Sequence, residues 1–415
     1  MTLPLTGAGP SSGLTWLLRD EFSDTRAAGT VNGTPATPGP GTRVVNDTGS
    51  VLSVTGGNLS HGHTVAGDPR LHYTPIVTRV PGRVLLIDWM DVTSKTYTTR
   101  GFDPAAAGAP IIADSVAIFT HAGTGLRIYP DAMYTANFVA DTTYTFAFVL
   151  RATGAYYFLK GGTYTNWSLL WVSSLLNTAG LYAVITTSSG ATVIRRTSYI
   201  RIPDALWIPT PLCADTYTRG NGAIGVSEVA GPDGQAVVSR TYTAQVGTWQ
   251  ISGNTAVATV LGIVTLPALH ADMVLRATLT TPGAGVTPGG IVIRWLDANN
   301  YWYVRVTPGT AGNDFELVEI NAGVPTVRGA ADKDPAAATA YIITVITYGQ
   351  TINVYWALAG ATSTREIQYT TAALNEAVAV HGLRDEGNSN FVFDNLLVFP
   401  RGTGGEYSQL NKWSS

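Results

Sequence analysis

Acid–base chemistry needs carboxyls that face one another, and three stretches bring acids close in sequence: Asp88-Trp89-Met90-Asp91, Glu316 with Glu319, and Asp385-Glu386. Hydrolysis of a glycosidic bond, for example, takes two carboxyls about 5–10 Å apart. Asp88 and Asp91 are three positions apart, as are Glu316 and Glu319, and on a strand that spacing sends side chains to opposite faces. No stretch forms the required pair, so the expectation is a protein that is not an enzyme. His61 and His63 share one strand face and His72 follows, but zinc takes a third or fourth ligand. Asp68 is the nearest carboxylate in sequence, and Gly62 and Gly67 make that segment a loop, so these histidines read as turn or solvent-facing residues. His121, His270 and His381 are isolated, and no serine stands in a Gly-x-Ser-x-Gly elbow. Cys213 is the single cysteine, which rules out an intrachain disulfide and a Cys-rich metal site.

Aromatic side chains remain. Trp295, Tyr301, Trp302, Tyr303, Tyr355 and Trp356 fall on neighbouring strand patterns, and sugar rings stack on aromatic faces that have polar groups beside them. Between Tyr301 and Val306, Trp302, Val304 and Val306 share one face and read as core. Tyr301, Tyr303 and Arg305 share the other face and read as exposed. Tyr301, Tyr303 and Tyr355 are therefore the expected glycan contacts, packing of the sheets or of a subunit contact being the other use for such rings.

The elements that position these residues are strands. Tyr144, Phe146, Phe148 and Leu150 alternate with Thr145, Ala147 and Val149, and Ile352, Val354, Trp356 and Leu358 alternate with Asn353, Tyr355 and Ala357. Tight turns separate such runs, among them Gly56-Gly57-Asn58, Gly161-Gly162 and Tyr348-Gly349-Gln350. Only 335–338 and 372–376 carry a helical pattern, each about one turn long. Many short strands and few helices predict an all-β chain, as a sandwich or a barrel. Apolar residues on both faces, as in Val84-Leu85-Leu86-Ile87 and Ile291-Val292-Ile293, favour the sandwich.

Two stretches open alike. Asp20-Glu21-Phe22-Ser23-Asp24-Thr25-Arg26 and Asp215-Thr216-Tyr217-Thr218-Arg219-Gly220 each place an aromatic two residues after an aspartate, then a polar run with an arginine. A strand-rich segment follows each, which predicts two related β-modules in tandem. The 415 residues exceed what one core supports. The expected organisation is an N-terminal arm at 1–17, a first domain at 18–199 and a connector at 200–213. A second domain at 214–400 and a polar tail at 401–415 complete it. Leu206, Trp207 and Ile208 of the connector are expected to pack between the domains. Only 13% of residues are charged, and 45 Gly and 22 Pro accompany 45% hydrophobic residues, which excludes charge-driven disorder and suits strands joined by turns. A net charge of −3 excludes the basic surface of a nucleic-acid binder. No secretory signal pattern and no long apolar run are present, so synthesis in the cytoplasm and release by lysis or a dedicated route are expected.

Residues 214–400 resemble the concanavalin A-like (laminin G-like) jelly-roll domains of phage tail proteins, carbohydrate-binding modules and some glycanases. The resemblance rests on the Asp215 opening, Gly247-Thr248-Trp249-Gln250-Ile251, Ile291-Val292-Ile293-Arg294-Trp295 with Asn300-Tyr301-Trp302-Tyr303, and the closing Phe391-Val392-Phe393-Asp394-Asn395. The first half keeps the opening but lacks the Phe-Asp-Asn signature, as a diverged copy would. The resemblance implies two tandem antiparallel jelly-roll sandwiches, and calcium as a candidate cofactor bridging the opening and closing strands through Asp215 and Asp394. It also supplies a glycanase strand of the Glu-x-Asp-x-x-Glu type, which this sequence lacks. The functional expectation is a non-enzymatic structural or adhesion protein of a bacteriophage virion, in tail, fibre or capsid decoration. Its expected partners are other virion subunits, further copies of itself and a host surface glycan, without nucleic acid or membrane insertion. The rival readings are a cellular glycan-binding module or glycanase, and a bacterial surface or appendage subunit.

Overall fold

A computed structural model describes residues 14–46, 49–61, 69–91, 97–105, 115–121, 125–129, 132–134, 142–152, 154–173, 180–188, 195–283, 287–309, 312–387 and 391–415. Most of the N-terminal arm (1–13), His63 and Asp68 lie outside the described residues. Of the described residues, 56% are strand and 2% helix, against the usual third of helix. The strands form four sheets whose named pairings are all antiparallel.

In the first half one sheet runs Tyr164–Val172, Ala155–Gly161, Thr143–Leu150, Val84–Asp91, Arg195–Thr197, Asn58–His61 and Leu52–Thr55. Ile200–Pro203 also pairs with Val84–Asp91 and carries Trp16–Asp20 on its other side. The facing sheet runs Ala132–Tyr134, Gly125–Tyr129, Val116–His121, Tyr97–Asp103, Tyr182–Ser188, Arg70–Thr74 and Thr42–Asn46.

From residue 213 onward the same order recurs. One sheet runs Thr364–Tyr369, Thr351–Leu358, Ala340–Tyr348, Met273–Thr280, Val392–Pro400, Thr255–Ala258, Trp249–Ser252 and Gly222–Ala223, with Cys213–Asp215 paired on Val392–Pro400. The other runs Val324–Ala331, Phe315–Asn321, Asn300–Val306, Gly289–Asp297, Val380–Asp385, Gly262–Pro267 and Thr243–Val246. Apart from the added Gly222–Ala223, the second half repeats the strand order of the first. The closing strand, continuous in the second half, is broken in the first at Ser198 and Tyr199. There Asp88 Oδ1 accepts both backbone N–H groups, at 2.6 and 2.9 Å. Within the second half, Leu275, Ala277 and Leu279 of one sheet meet Ile291, Ile293, Trp302 and Val304 of the other in a common core, as period-two patterning requires.

The repeated Asp-x-aromatic pair is a turn device. Asp20 Oδ1 accepts from Phe22 N at 3.0 Å and Asp215 Oδ1 from Tyr217 N at 2.8 Å. Phe22 and Tyr217 sit at φ 50° and 53°, a left-handed conformation that costs a non-glycine residue about 1–2 kcal/mol. The Asx-type bond and complete burial of each ring offset that cost. The arginine partners differ. Arg43, fully buried, grips Asp20 through Nε at 2.6 Å and Nη2 at 2.7 Å and reaches Asp24 twice at 2.9 Å. Tyr73 adds a hydroxyl bond to Asp20 at 2.9 Å. Burial alone would raise the Asp24 carboxyl, but the guanidiniums of Arg43 and Arg26 hold it well below the usual range. In the second half Arg219 serves, at 2.6 and 3.2 Å from Asp215.

His381 shows how tightly the second core closes. Its Nδ1 accepts from Arg294 N at 3.2 Å, so Nε2 carries the proton and donates to His270 O at 3.0 Å. Complete burial pushes the imidazole down to about 4; the bond to His270 opposes this, and the Arg294 charge adds to it. The unfolded chain takes up this proton at about pH 6.5 and the folded chain only near 4. The associated stability is therefore present above pH 6.5 and is lost as pH falls toward 4. Denaturant titrations should show a loss of about 3 kcal/mol across that window, and His381→Gln should remove this share of the pH dependence.

The connector and the tail depart from expectation. Ile200–Pro203 is a strand of the first half, and Leu206 is 51% exposed rather than packed. Trp207 does pack, its ring 5.7 Å from Phe158, 6.2 Å from Tyr407 and 6.5 Å from Trp413. Residues 401–415 fold back onto the first half. Tyr407, Leu410 and Trp413 are buried, Tyr407 meets Phe158 at 4.8 Å, and Arg201 Nη1 donates to Trp413 O and Ser415 O. The only helical turns among the described residues, Ser408–Leu410 and Asn411–Ser414, lie here, not at 335–338 or 372–376.

Candidate functional site

The two halves meet directly. Tyr156 packs on Phe399 at 5.3 Å and Trp171 on Tyr355 at 4.7 Å. Asp233 of the second half, its side chain buried, accepts from Arg151 Nε at 2.9 Å and from the Tyr156 hydroxyl at 2.6 Å. Beside this seam, the strand Tyr164–Val172, the end of Ala340–Tyr348 and the start of the tail line an open cleft of about 260 Å³. Tyr164 and Tyr348 supply aromatic surface to it, and Asn166, Ser168, Arg401 and Thr403 supply polar groups. Asn166 Nδ2 donates to Thr403 O at 2.9 Å, and Leu169 N donates to Arg401 O at 2.9 Å. The Arg401 guanidinium lies 5.5 Å from the Tyr348 ring. The tail crosses the strand at Gly402, where φ is 98° and a Cβ would stand 2.0 Å from Trp167 O. Only glycine fits that crossing.

A carboxylate stands at the edge of this cleft. Asp272 Oδ1 accepts from Gly349 N at 2.8 Å, and Oδ2 accepts from the Thr403 hydroxyl at 3.4 Å. Sequence reasoning missed the cleft because its walls come from three distant segments. The available signal was compositional: the short polar side chains around Tyr164 and the glycine-rich start of the tail.

The residues singled out from sequence are placed elsewhere. Tyr301, Tyr303 and Tyr355, expected on an open surface, are 3%, 1% and 0% exposed. Tyr355 is covered by Trp171 of the other half. Tyr301 packs against Trp295 at 4.7 Å, and the Arg384 guanidinium lies over both Tyr301 and Tyr303, at 5.7 and 4.7 Å. Trp302 is core, as expected. Asp215 and Asp394 lie on paired strands, Asp215 opposite Leu396. Burial raises the Asp394 carboxyl, and the charges of Asp215 and Glu228 raise it further. Both oxygens of Asp215 accept from Arg219, so that carboxylate is already held by a guanidinium.

Among the acids, Glu316 pairs with Arg305, Glu319 with Arg328 and Glu386 with Arg384. His72 is buried against Tyr182, not solvent-facing; burial lowers its pKa, and the Arg70 charge lowers it further.

No protein-family model and no curated protein sequence matches this chain. Solved structures do. The carbohydrate-binding module CBM66 from Bacillus subtilis is similar at 16% identity and TM-score 0.31, covering 38% of this chain and 94% of its own. A xylan beta-1,4-xylosidase from Bacillus halodurans C-125 is similar at 11% identity and TM-score 0.32, over 90% of this chain and 88% of its own. The GH43 BlXynB protein from Bacillus licheniformis follows at 11% identity and TM-score 0.31, over 88% and 71%. Two sequence-based expectations are corrected by these findings, the bacteriophage virion component and the non-enzyme: the similar structures named are glycoside hydrolases and a carbohydrate-binding module, and none is a virion protein.

Proposed function

We propose that this protein binds a glycan in the cleft between its two halves, and that each half is a jelly-roll sandwich of the concanavalin A-like kind. The observation that carries the glycan reading is the make-up of the cleft: Tyr164 and Tyr348 with short polar side chains around them, in a cavity of about 260 Å³ at the seam. A sugar ring offers apolar C–H faces to aromatic rings and hydroxyls to amides, hydroxyls and guanidinium groups. Sites of this kind favour domain seams. The jelly-roll reading is supported by the shared strand order and by the facing sheets of the second half.

A glycan array followed by titration calorimetry tests the binding. Each tyrosine ring contributes about 2 kcal/mol when a ligand covers it, so Tyr164→Ala and Tyr348→Ala should each weaken binding about thirtyfold. Arg384→Ala, away from the cleft, should leave it unchanged. Unchanged affinity in both tyrosine variants would refute the assignment.

Asp272 favours a second reading, in which the bound glycan is also cut. Hydrolysis requires a further carboxyl across the scissile bond. Release of reducing ends that stops in Asp272→Asn, with binding retained, would support cleavage. Binding without release would leave the protein a glycan-binding module.

A further inference from the structure

Asp314 directly precedes the strand Phe315–Asn321, and Asp332 and Asp334 follow the strand Val324–Ala331 that pairs with it. This antiparallel pairing brings the three carboxylates together at one end of the sheet, with one oxygen of each within 4.8 Å of the others. Asp314 is 0% exposed. Its Oδ1 accepts from Lys333 N at 2.8 Å, while its Oδ2 is buried without a hydrogen-bond partner. A buried carboxylate oxygen left bare costs about 1–3 kcal/mol or more.

No lysine or arginine among the described residues forms a salt bridge with any of the three. Lys333, the lysine inside the loop, turns away to Glu366 at 2.8 Å. Crowded carboxylates with no counter-charge contrast with Asp215, whose oxygens Arg219 occupies.

The geometry points to a divalent-cation site formed by Asp314, Asp332 and Asp334, with calcium as the ion. All three ligands are hard oxygens, the donors calcium takes at about 2.3–2.6 Å. Two oxygens on opposite sides of such an ion stand about 4.6–5.2 Å apart, which accommodates the observed spread. Asp332 and Asp334 are exposed, so water can complete the six to eight ligands. The ion would tie the approach to Phe315–Asn321 to the loop after Val324–Ala331, fixing that end of the sheet. This site is separate from the glycan cleft, and its test uses no sugar.

Terbium reports the ion directly because indoles sensitise its emission. Trp356 packs on Phe315 at 4.8 Å and on Tyr341 at 4.2 Å, and the Tyr341 hydroxyl accepts from Ala336 N, two residues past Asp334. The full chain, stripped with a chelator, should show terbium emission on indole excitation that calcium displaces, and calorimetry with calcium chloride should give one site. The double variant Asp332→Asn, Asp334→Asn alters two exposed side chains and should fold as the parent does. It should lose more than about a hundredfold in calcium affinity, because even supporting groups around a metal cost 10–100-fold. Asp394→Asn should bind as the parent. Absence of a calcium-displaceable signal, or a signal that survives the double substitution, would overturn the assignment.

Discussion

Arg43→Met should destabilise the first half by about 3–5 kcal/mol, because it strands a buried carboxylate. Arg43 and Asp20 are both fully buried, joined by two hydrogen bonds of 2.6 and 2.7 Å, and the same guanidinium also neutralises Asp24. Its plane lies 5.2 Å from the Phe22 ring, so the substitution also removes packing beneath the left-handed turn. A loss of that size is a large share of the 5–15 kcal/mol that holds an ordinary domain. Urea titration followed by circular dichroism should show an early transition for the first half while the second persists. Pairing Arg43→Met with Asp20→Asn should recover much of the loss, since the bare charge is then gone. A single-variant loss below about 1 kcal/mol would mean that water reaches Asp20 and that the pair is not sealed.

Trp413→Ala should cost about 3–5 kcal/mol, the usual range for removing a buried indole. Trp413 is 1% exposed and caps a stack in which Trp207 touches Phe158, Tyr407 and Trp413. Those rings come from three separate parts of the chain: a strand of the first half, the connector and the tail. Losing one opens all three surfaces. Limited proteolysis should then cut within 401–415, and tryptophan emission should shift to the red as Trp207 meets water. An intact, protected tail in the variant would show that Tyr407 and Leu410 suffice to hold it.

The duplication was legible because its signal is local. An aspartate that caps its own turn and an aromatic two residues on that drops into the core must be neighbours in sequence, so Asp20 with Phe22 and Asp215 with Tyr217 could be read directly. The strand patterns were legible for the same reason, since alternation reports which side of a sheet is covered. What covers it is not local. Tyr355 alternates like a surface residue, but Trp171 closes over it from almost two hundred positions away. Tyr301 and Tyr303 lie beneath Arg384, contributed by another strand. The partner of Asp20 is Arg43 and not Arg26, which stands six residues after Asp20 where Arg219 stands four after Asp215, because the strand Thr42–Asn46 delivers Arg43 into the core. The cleft was invisible for the same cause: its two tyrosines and its arginine meet only after both halves and the tail have docked.

The returning tail also decides how such a cleft can work. The chain crosses from the first half to the second near residue 204 and comes back at 401, so the two halves are joined at both ends of the second. A clamshell needs a single hinge about which its jaws can swing, and a second attachment removes that freedom. Arg401 and Thr403 belong both to the attachment and to the cavity wall. The jaws are therefore fixed at one width before any ligand arrives. Selection would then operate by fit to a standing shape, with little ordering left to oppose binding.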